Sequence, residues 1–145
     1  DIVVASPHVS LKQDAGKATA RLLAAIEHPL VHIIGHPTGR MIGRRPGLDP
    51  DMGVLTAAAA STGTALEINA NPRRLDLCDL HVRQALAAGA LIAIDTDAHT
   101  GEHLSFLRYG VLTGARGGLT ADRCVNCFDN EELLAWLADK SSRAI

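Results

Sequence analysis

Val31-His32-Ile33-Ile34-Gly35-His36-Pro37 is a short apolar run that ends in a glycine, a histidine and a proline. The run reads as a β-strand, and Pro37 stiffens the backbone where His36 ends it. Three other segments repeat the arrangement. Ile2-Val3-Val4-Ala5 runs into Ser6-Pro7-His8, Ala65-Leu66-Glu67-Ile68 into Asn69, and Leu91-Ile92-Ala93-Ile94 towards Asp97-Ala98-His99. Helix-forming stretches lie between them, so the order is β, α, β, α, β, α, β. That order predicts an α/β fold with parallel strands alternating with helices. In barrels of this kind the carboxyl ends of the strands converge on one mouth, and a polar residue there reads as catalytic.

Length and composition are consistent with this. The chain has 145 residues, 47% of them apolar, which suits a single domain with a packed core. A formal charge of −2 excludes a global basic field, so any nucleic-acid contact depends on a local patch. No apolar run is long enough to span a membrane, and no charged segment precedes one as in a signal peptide. The cytoplasm is the expected location. Three cysteines without framework spacing fit a reducing compartment. The first residue is Asp1 and the chain opens directly into a buried-type strand, so a piece of a longer protein is expected.

The helices are placed by periodicity and caps. Ala18, Leu22, Leu23 and Ile26 recur at helical spacing between Asp14 and Glu27, and His28-Pro29 ends that helix. Asp49-Pro50 supplies a cap and a first-turn proline for Met52 to Ser61, which Gly63 terminates. Leu77 to Ala88 is the third helix, Glu102 to Arg108 a short one, and Gly110 to Gly118 reads as loop. Asp129 and Glu132 form a capping box opening Asn130 to Lys140.

At the strand ends, Asp97 and His99 share one side of an extended segment and offer a carboxylate and an imidazole to one site. That pair suits zinc, manganese or iron, with Asp95 as an orienting partner. The competing reading is a strand-end turn in which Asp97 caps the next helix. His36 and His8 share a setting, and each alone is as compatible with a structural role as with metal ligation. If the four strands are neighbours in one parallel sheet, His8, His36, Asp97 and His99 meet in one mouth. Asn69 either supports that site or makes a structural hydrogen bond at its strand end, and neither it nor Glu67 is assigned as a ligand.

Val4-Ala5-Ser6-Pro7-His8, Ile34-Gly35-His36-Pro37-Thr38-Gly39-Arg40, Ala65-Leu66-Glu67-Ile68-Asn69-Ala70-Asn71-Pro72 and Asp95-Thr96-Asp97-Ala98-His99 resemble the later motifs of the polymerase and histidinol phosphatase (PHP) domain. The Gly-His-Pro-Thr-Gly-Arg string, Arg108-Tyr109-Gly110 and Leu133-Leu134-Ala135-Trp136-Leu137 are similar to the version in bacterial family X DNA polymerases. The resemblance covers residues 1–145 and implies the carboxyl-terminal portion of a distorted seven-stranded (β/α) barrel. Its amino-terminal strands and a polymerase domain would lie outside this sequence. It further implies a cluster of up to three divalent ions, manganese or zinc. His8 and His36 would hold one ion, Asp97 would ligate a second and His99 a third. The family's early His-x-His pair, a further strand-end histidine and a bridging glutamate are not in this chain. His28, His32, His81 and His103 do not sit in those motifs. Incomplete coordination implies weak metal binding and an inactive fragment, while the smaller barrel portion would expose sheet edges and apolar surface.

Arg40, Arg44 and Arg45 follow His36, and Arg73 with Arg74 follows the Glu-Ile-Asn motif. Such arginines bind DNA phosphate or lie on a solvated loop. With four aromatic residues, stacking platforms are scarce. Cys124 and Cys127 have zinc-ligand spacing without a second pair, and read as a buried or incidental pair. The leading expectation is therefore part of a metal-dependent phosphoesterase attached to a repair polymerase and acting on DNA 3′ ends, as an exonuclease or 3′-phosphatase. The alternatives are a non-catalytic scaffold that regulates the polymerase and a small-molecule phosphatase of the histidinol phosphate type.

Overall fold

In a computed structural model, residues 1–142 are described. The strand Ala65–Asn69 is buried along its whole length and organises the rest. It is β3 of a four-stranded parallel sheet in the order β1-β2-β3-β4, with β1 at Val4–Ala5, β2 at Ile33–Ile34 and β4 at Ile92–Asp95. The four strands are thus neighbours, which is the condition for their end residues to share one mouth, although β1 and β2 each keep only the last two residues of their apolar runs. Helices α1 (Ala15–Glu27), α2 (Met52–Thr62) and α3 (Asp79–Ala87) make the crossovers, and α4 (Leu107–Gly117) and α5 (Asn130–Ser142) follow β4. No described helix is long and apolar enough to cross a membrane.

Side chains alternate across the sheet. Ile34, Leu66, Ile68, Ile92 and Ile94 join the main core with Leu22 and Ile26 of α1, Leu55 of α2 and Val82 of α3. The opposite face is divided along its length. At the amino ends of the strands Ile33, Ala65 and Ala93 pack under Val125 and Trp136. At the carboxyl ends the same face carries Glu67, Asn69 and Asp95, with Asn69 directly opposite Asp95. α5 is tied down by Trp136 Nε1, which donates to the Gly63 carbonyl at 2.7 Å, and by the buried Lys140, whose Nζ donates to the Ile26 carbonyl and Thr64 Oγ1.

Three local expectations need correction. Asp51, not Asp49, caps α2: its carboxylate accepts from the Val54 N–H at 3.1 Å, leaving Pro50 outside the helix. Leu77 is taken from α3 by β3, since Leu77 N donates to the Glu67 carbonyl at 2.8 Å, next to the Asp76 carbonyl that accepts from Asn69 N, and the helix starts at Asp79. Gly110 to Gly118 is helix rather than loop through Gly117. The glycines there make room: a Cβ on Gly110 would meet Ile94 and Ala70, and one on Gly117 would meet Val82. Absent side chains at those positions let α4 sit close to the sheet and α3, and this packing overrides the weak helix propensity of glycine. The Asp129–Glu132 capping box forms, with each side chain accepting the other's backbone N–H at 2.9 Å.

The two sheet edges differ. Along β4, Asn126 accepts from Ile94 N at 2.7 Å and donates to the Ile94 carbonyl at 2.8 Å, and Cys124 adds a parallel bridge to Ile92. Along β1, Val4 is 48% exposed, and Ile2 and Val3 beside it are exposed as well.

Candidate metal centre

His36 leaves β2 with a positive φ of 28°, and Asp97 leaves β4 with a φ of 49°. Non-glycine residues are uncommon there, and such strain of about 1–3 kcal/mol per residue clusters at functional sites. The turn at His36 buries its ring, and the backbone N–H of His36 donates to the Glu67 carboxylate on the neighbouring strand. The ring follows the same direction: Nδ1 lies 3.4 Å from Glu67 Oε2 and 3.5 Å from Asn69 Nδ2. Nε2 is thereby turned outward, 3.1 Å from Nε2 of His8, with the two rings stacked at 5.2 Å.

A separation of 3.1 Å is what two imidazoles show across one ion with metal–nitrogen bonds of about 2.0–2.1 Å and an angle near 100°. A carboxylate behind the other ring nitrogen is the usual orienting partner of a metal-bound histidine. Burial, followed by the nearby Arg74 cation, holds His36 below the ordinary histidine range and keeps it in the neutral form that ligates metal. The residues present therefore fit one edge of a coordination sphere. Among the described residues there is no group of three His, Cys, Asp or Glu side chains that could complete it.

The surrounding carboxylates share the burial. Desolvation raises Glu67, and desolvation with the Glu67 carboxyl beside it pushes Asp95 up to about 8, so this pair retains a proton at neutral pH. Asp95 Oδ1 also accepts the backbone N–H of Asp97 at 3.0 Å, which sets the turn. Asp97 does not cap a helix. Its Oδ2 lies 3.9 Å from Nε of Arg74, whose buried Nη1 has no hydrogen-bond partner. Asp76, buried and raised by that burial, accepts from Thr38 N at 3.1 Å and secures the loop after His36.

Of the residues singled out from the sequence, His8 and His36 are brought together. Asp97 lies near enough to act on the His36 charge. His99 is exposed, its Nδ1 2.7 Å from the Asp97 carbonyl and its ring near His103. Arg40 donates to the Arg74 and Leu75 carbonyls and Arg45 to the Gly39 carbonyl, so both hold the loop, while Arg44 and Arg73 are exposed. Cys124 is buried and Cys127 exposed. Sequence reasoning passed over Glu67 as the support of His36, although a carboxylate between Leu66 and Ile68 in an otherwise apolar run was the available signal. Arg74 and Asp76 gave no comparable sign.

The chain is 41% identical over 137 residues to "DNA polymerase/3'-5' exonuclease PolX" of Bacillus subtilis (strain 168), across 94% of this chain and 24% of that protein. It is 27% identical over 152 residues to two proteins bearing the name "Probable phosphatase", from Thermoanaerobacter sp. (strain X514) and Thermoanaerobacter pseudethanolicus (strain ATCC 33223 / 39E), across 99% of this chain and 59% of each. It thus spans about a quarter of the length of the first relative and 59% of the others. No family model matches the chain.

Proposed function

We propose that this chain is the carboxyl-terminal part of a PHP-type, metal-dependent phosphoesterase domain that hydrolyses phosphate esters at DNA 3′ ends. The observation that carries the reading is the His8–His36 pair, with the Nδ1 side of His36 backed by Glu67. In this reading His8 and His36 hold one divalent ion, manganese or zinc. Asp97 and His99 serve neighbouring ions, and donors outside the present sequence complete the set. Bound there, such ions supply Lewis acidity towards a phosphoryl oxygen and towards water.

The chain's own residues do the positioning. Glu67 and Asn69 fix the His36 ring, Asp95 sets the Asp97 turn, and Arg74 offsets the carboxylate charge beside the site. Arg44 and Arg73, exposed in neighbouring loops joined by a hydrogen bond from Ile42 N to the Arg73 carbonyl, are the side chains free to meet a DNA phosphate. Arg40 and Arg45 act indirectly by shaping that loop. Likeness to the Bacillus protein supports a nucleic-acid substrate and a polymerase domain in the same parent chain. Likeness to the Thermoanaerobacter proteins favours a second reading, removal of a terminal phosphate from a small molecule. A regulatory scaffold is the non-catalytic alternative.

The test uses the complete open reading frame containing this chain, with manganese or zinc. Substrates are oligonucleotides ending in 3′-hydroxyl or 3′-phosphate, and sugar and amino-alcohol phosphates. Release of nucleotide or phosphate from DNA, lost in His36→Ala and Asp97→Ala, is expected. Preference for the small phosphates installs the second reading, and hydrolysis that survives both substitutions removes the site assignment.

A further inference from the structure

Phe106 and Tyr109 are two of the four aromatic residues in the chain, and unlike Phe128 and Trp136 they belong to neither core cluster. Both stand just beyond Asp97 and His99. Residues Gly101–Phe106 form a 3-10 helix that runs directly into α4. Three residues per turn place side chains at positions i and i+3 one above the other. His103 and Phe106 are therefore stacked, with ring centres 5.1 Å apart and planes 21° from parallel. Tyr109, three residues further on, lies 6.3 Å from Phe106. At the other end His103 Nδ1 accepts the His99 backbone N–H at 3.2 Å, and the two imidazoles are 6.5 Å apart. A continuous file of rings thus leads from the candidate metal centre to the start of α4.

The far end of the file carries charge and space. The Arg108 guanidinium lies 4.7 Å from the centre of the Tyr109 ring, and its Nη2 donates to the Tyr109 hydroxyl at 2.7 Å, so each side chain holds the other in place. Tyr109 also borders a cleft of about 490 Å³, shared with Arg40 and Leu75 of the loops that follow β2 and β3. Arg116 on the same helix is paired with Asp79 at 3.2 Å, whereas Arg108 meets a neutral phenol and keeps its charge at the surface. Rings joined to a guanidinium plane suit nucleobases, whose π-faces stack on either, and the exposed cation suits the phosphates between them. Exposed Leu104, Leu107 and Val111 form an apolar stripe that would suit a protein partner instead, but that stripe does not account for a file of rings anchored on His99.

We propose that His103, Phe106, Tyr109 and Arg108 form a stacking track for the unpaired bases of a DNA strand whose 3′ end lies in the candidate metal centre. The track rests on the DNA reading of that centre and specifies which part of the substrate the chain recognises. Bases upstream of the scissile phosphate lie against the rings and the Arg108 plane, and the end of the file at His99 receives the terminal nucleotide. Stacking tolerates every base, so the strand is recognised as unpaired rather than by its sequence.

The test uses the protein from the complete open reading frame, with manganese, and two single-stranded oligonucleotides that share a terminal nucleotide. One carries bases throughout. The other has abasic residues at the three positions before the terminus, which keeps the phosphates and removes the stacking partners. The parent should show a KM about 5–100-fold lower for the strand with bases, the range for one base–aromatic stack, with kcat little changed. Phe106→Ala and Tyr109→Ala should each raise KM on that strand by about fivefold or more and leave the abasic strand unaffected, while Phe106→Tyr and Tyr109→Phe should retain the gap. A parent that cleaves both strands equally well, or alanine variants that lose both strands alike, overturns the track and leaves the DNA reading standing. A change of oligomeric state in Phe106→Ala, seen by gel filtration, makes this face a protein interface and also overturns it. A parent that hydrolyses sugar or amino-alcohol phosphates but no DNA removes the DNA reading and the track together.

Discussion

His36 and His99 both follow a strand, yet the His36 side chain is 5% exposed and that of His99 is 76% exposed. His36 leaves β2, which has β1 on one side and β3 on the other. The Glu67 carboxylate on β3 takes its backbone N–H and sits behind its ring. His99 lies four residues beyond β4, at the end of the strand order, and its ring meets the turn that carries it and His103. A central strand end thus fixes the orientation of its imidazole, whereas an edge strand end leaves its imidazole to solvent. Preorganisation here comes from the neighbouring strand, not from the motif.

The largest effect that would sharpen this comparison is on metal affinity. His36→Ala should weaken manganese or zinc binding, measured by titration calorimetry, by more than about 100-fold, the upper range for loss of a supporting residue. His99→Ala should change it far less, and equal losses would break the contrast. Glu67→Gln keeps the shape of the side chain but removes the carboxylate behind His36, and should weaken binding by about 10–100-fold at the same site. Asn126→Ala strips the clamp from β4 and leaves the Ile94 N–H and carbonyl unpaired. Chemical denaturation should show a loss of about 1–3 kcal/mol.

Smaller effects follow from protonation. Asp95 has its folded value raised from 3.8 to about 8, so the folded state holds the extra proton. Its contribution to stability is full below 3.8 and is lost as pH rises towards about 8. His36 works in the opposite sense, because its lowered value makes stability rise as pH climbs towards 6.5. Thermal melts of the metal-free chain should therefore show a smaller decline between pH 6.5 and 8 in Asp95→Asn than in the parent. Least affected should be the fold of His99→Ala, with stability within about 0.5 kcal/mol of the parent.

Strand positions and order were legible because the apolar runs before His8, His36, Asn69 and Asp97 are short and bounded. A parallel sheet follows from the helices between them. The pairing of His8 with His36 was legible for the same reason, since adjacent parallel strands end side by side. The role of Glu67 was not, because it depends on the backbone of a residue on another strand. Nor was α4, where Gly110, Gly114 and Gly117 weaken the local helix signal while the sheet and α3 require small residues. The positive φ of His36 and Asp97 is likewise fixed by tertiary contacts and leaves no trace in residue type.

The Asn126 amide beside Ile94 has one more consequence. With both backbone groups of Ile94 already satisfied by a side chain, and Ile92 bridged to Cys124, the middle of β4 offers no free donor or acceptor with which to template another strand.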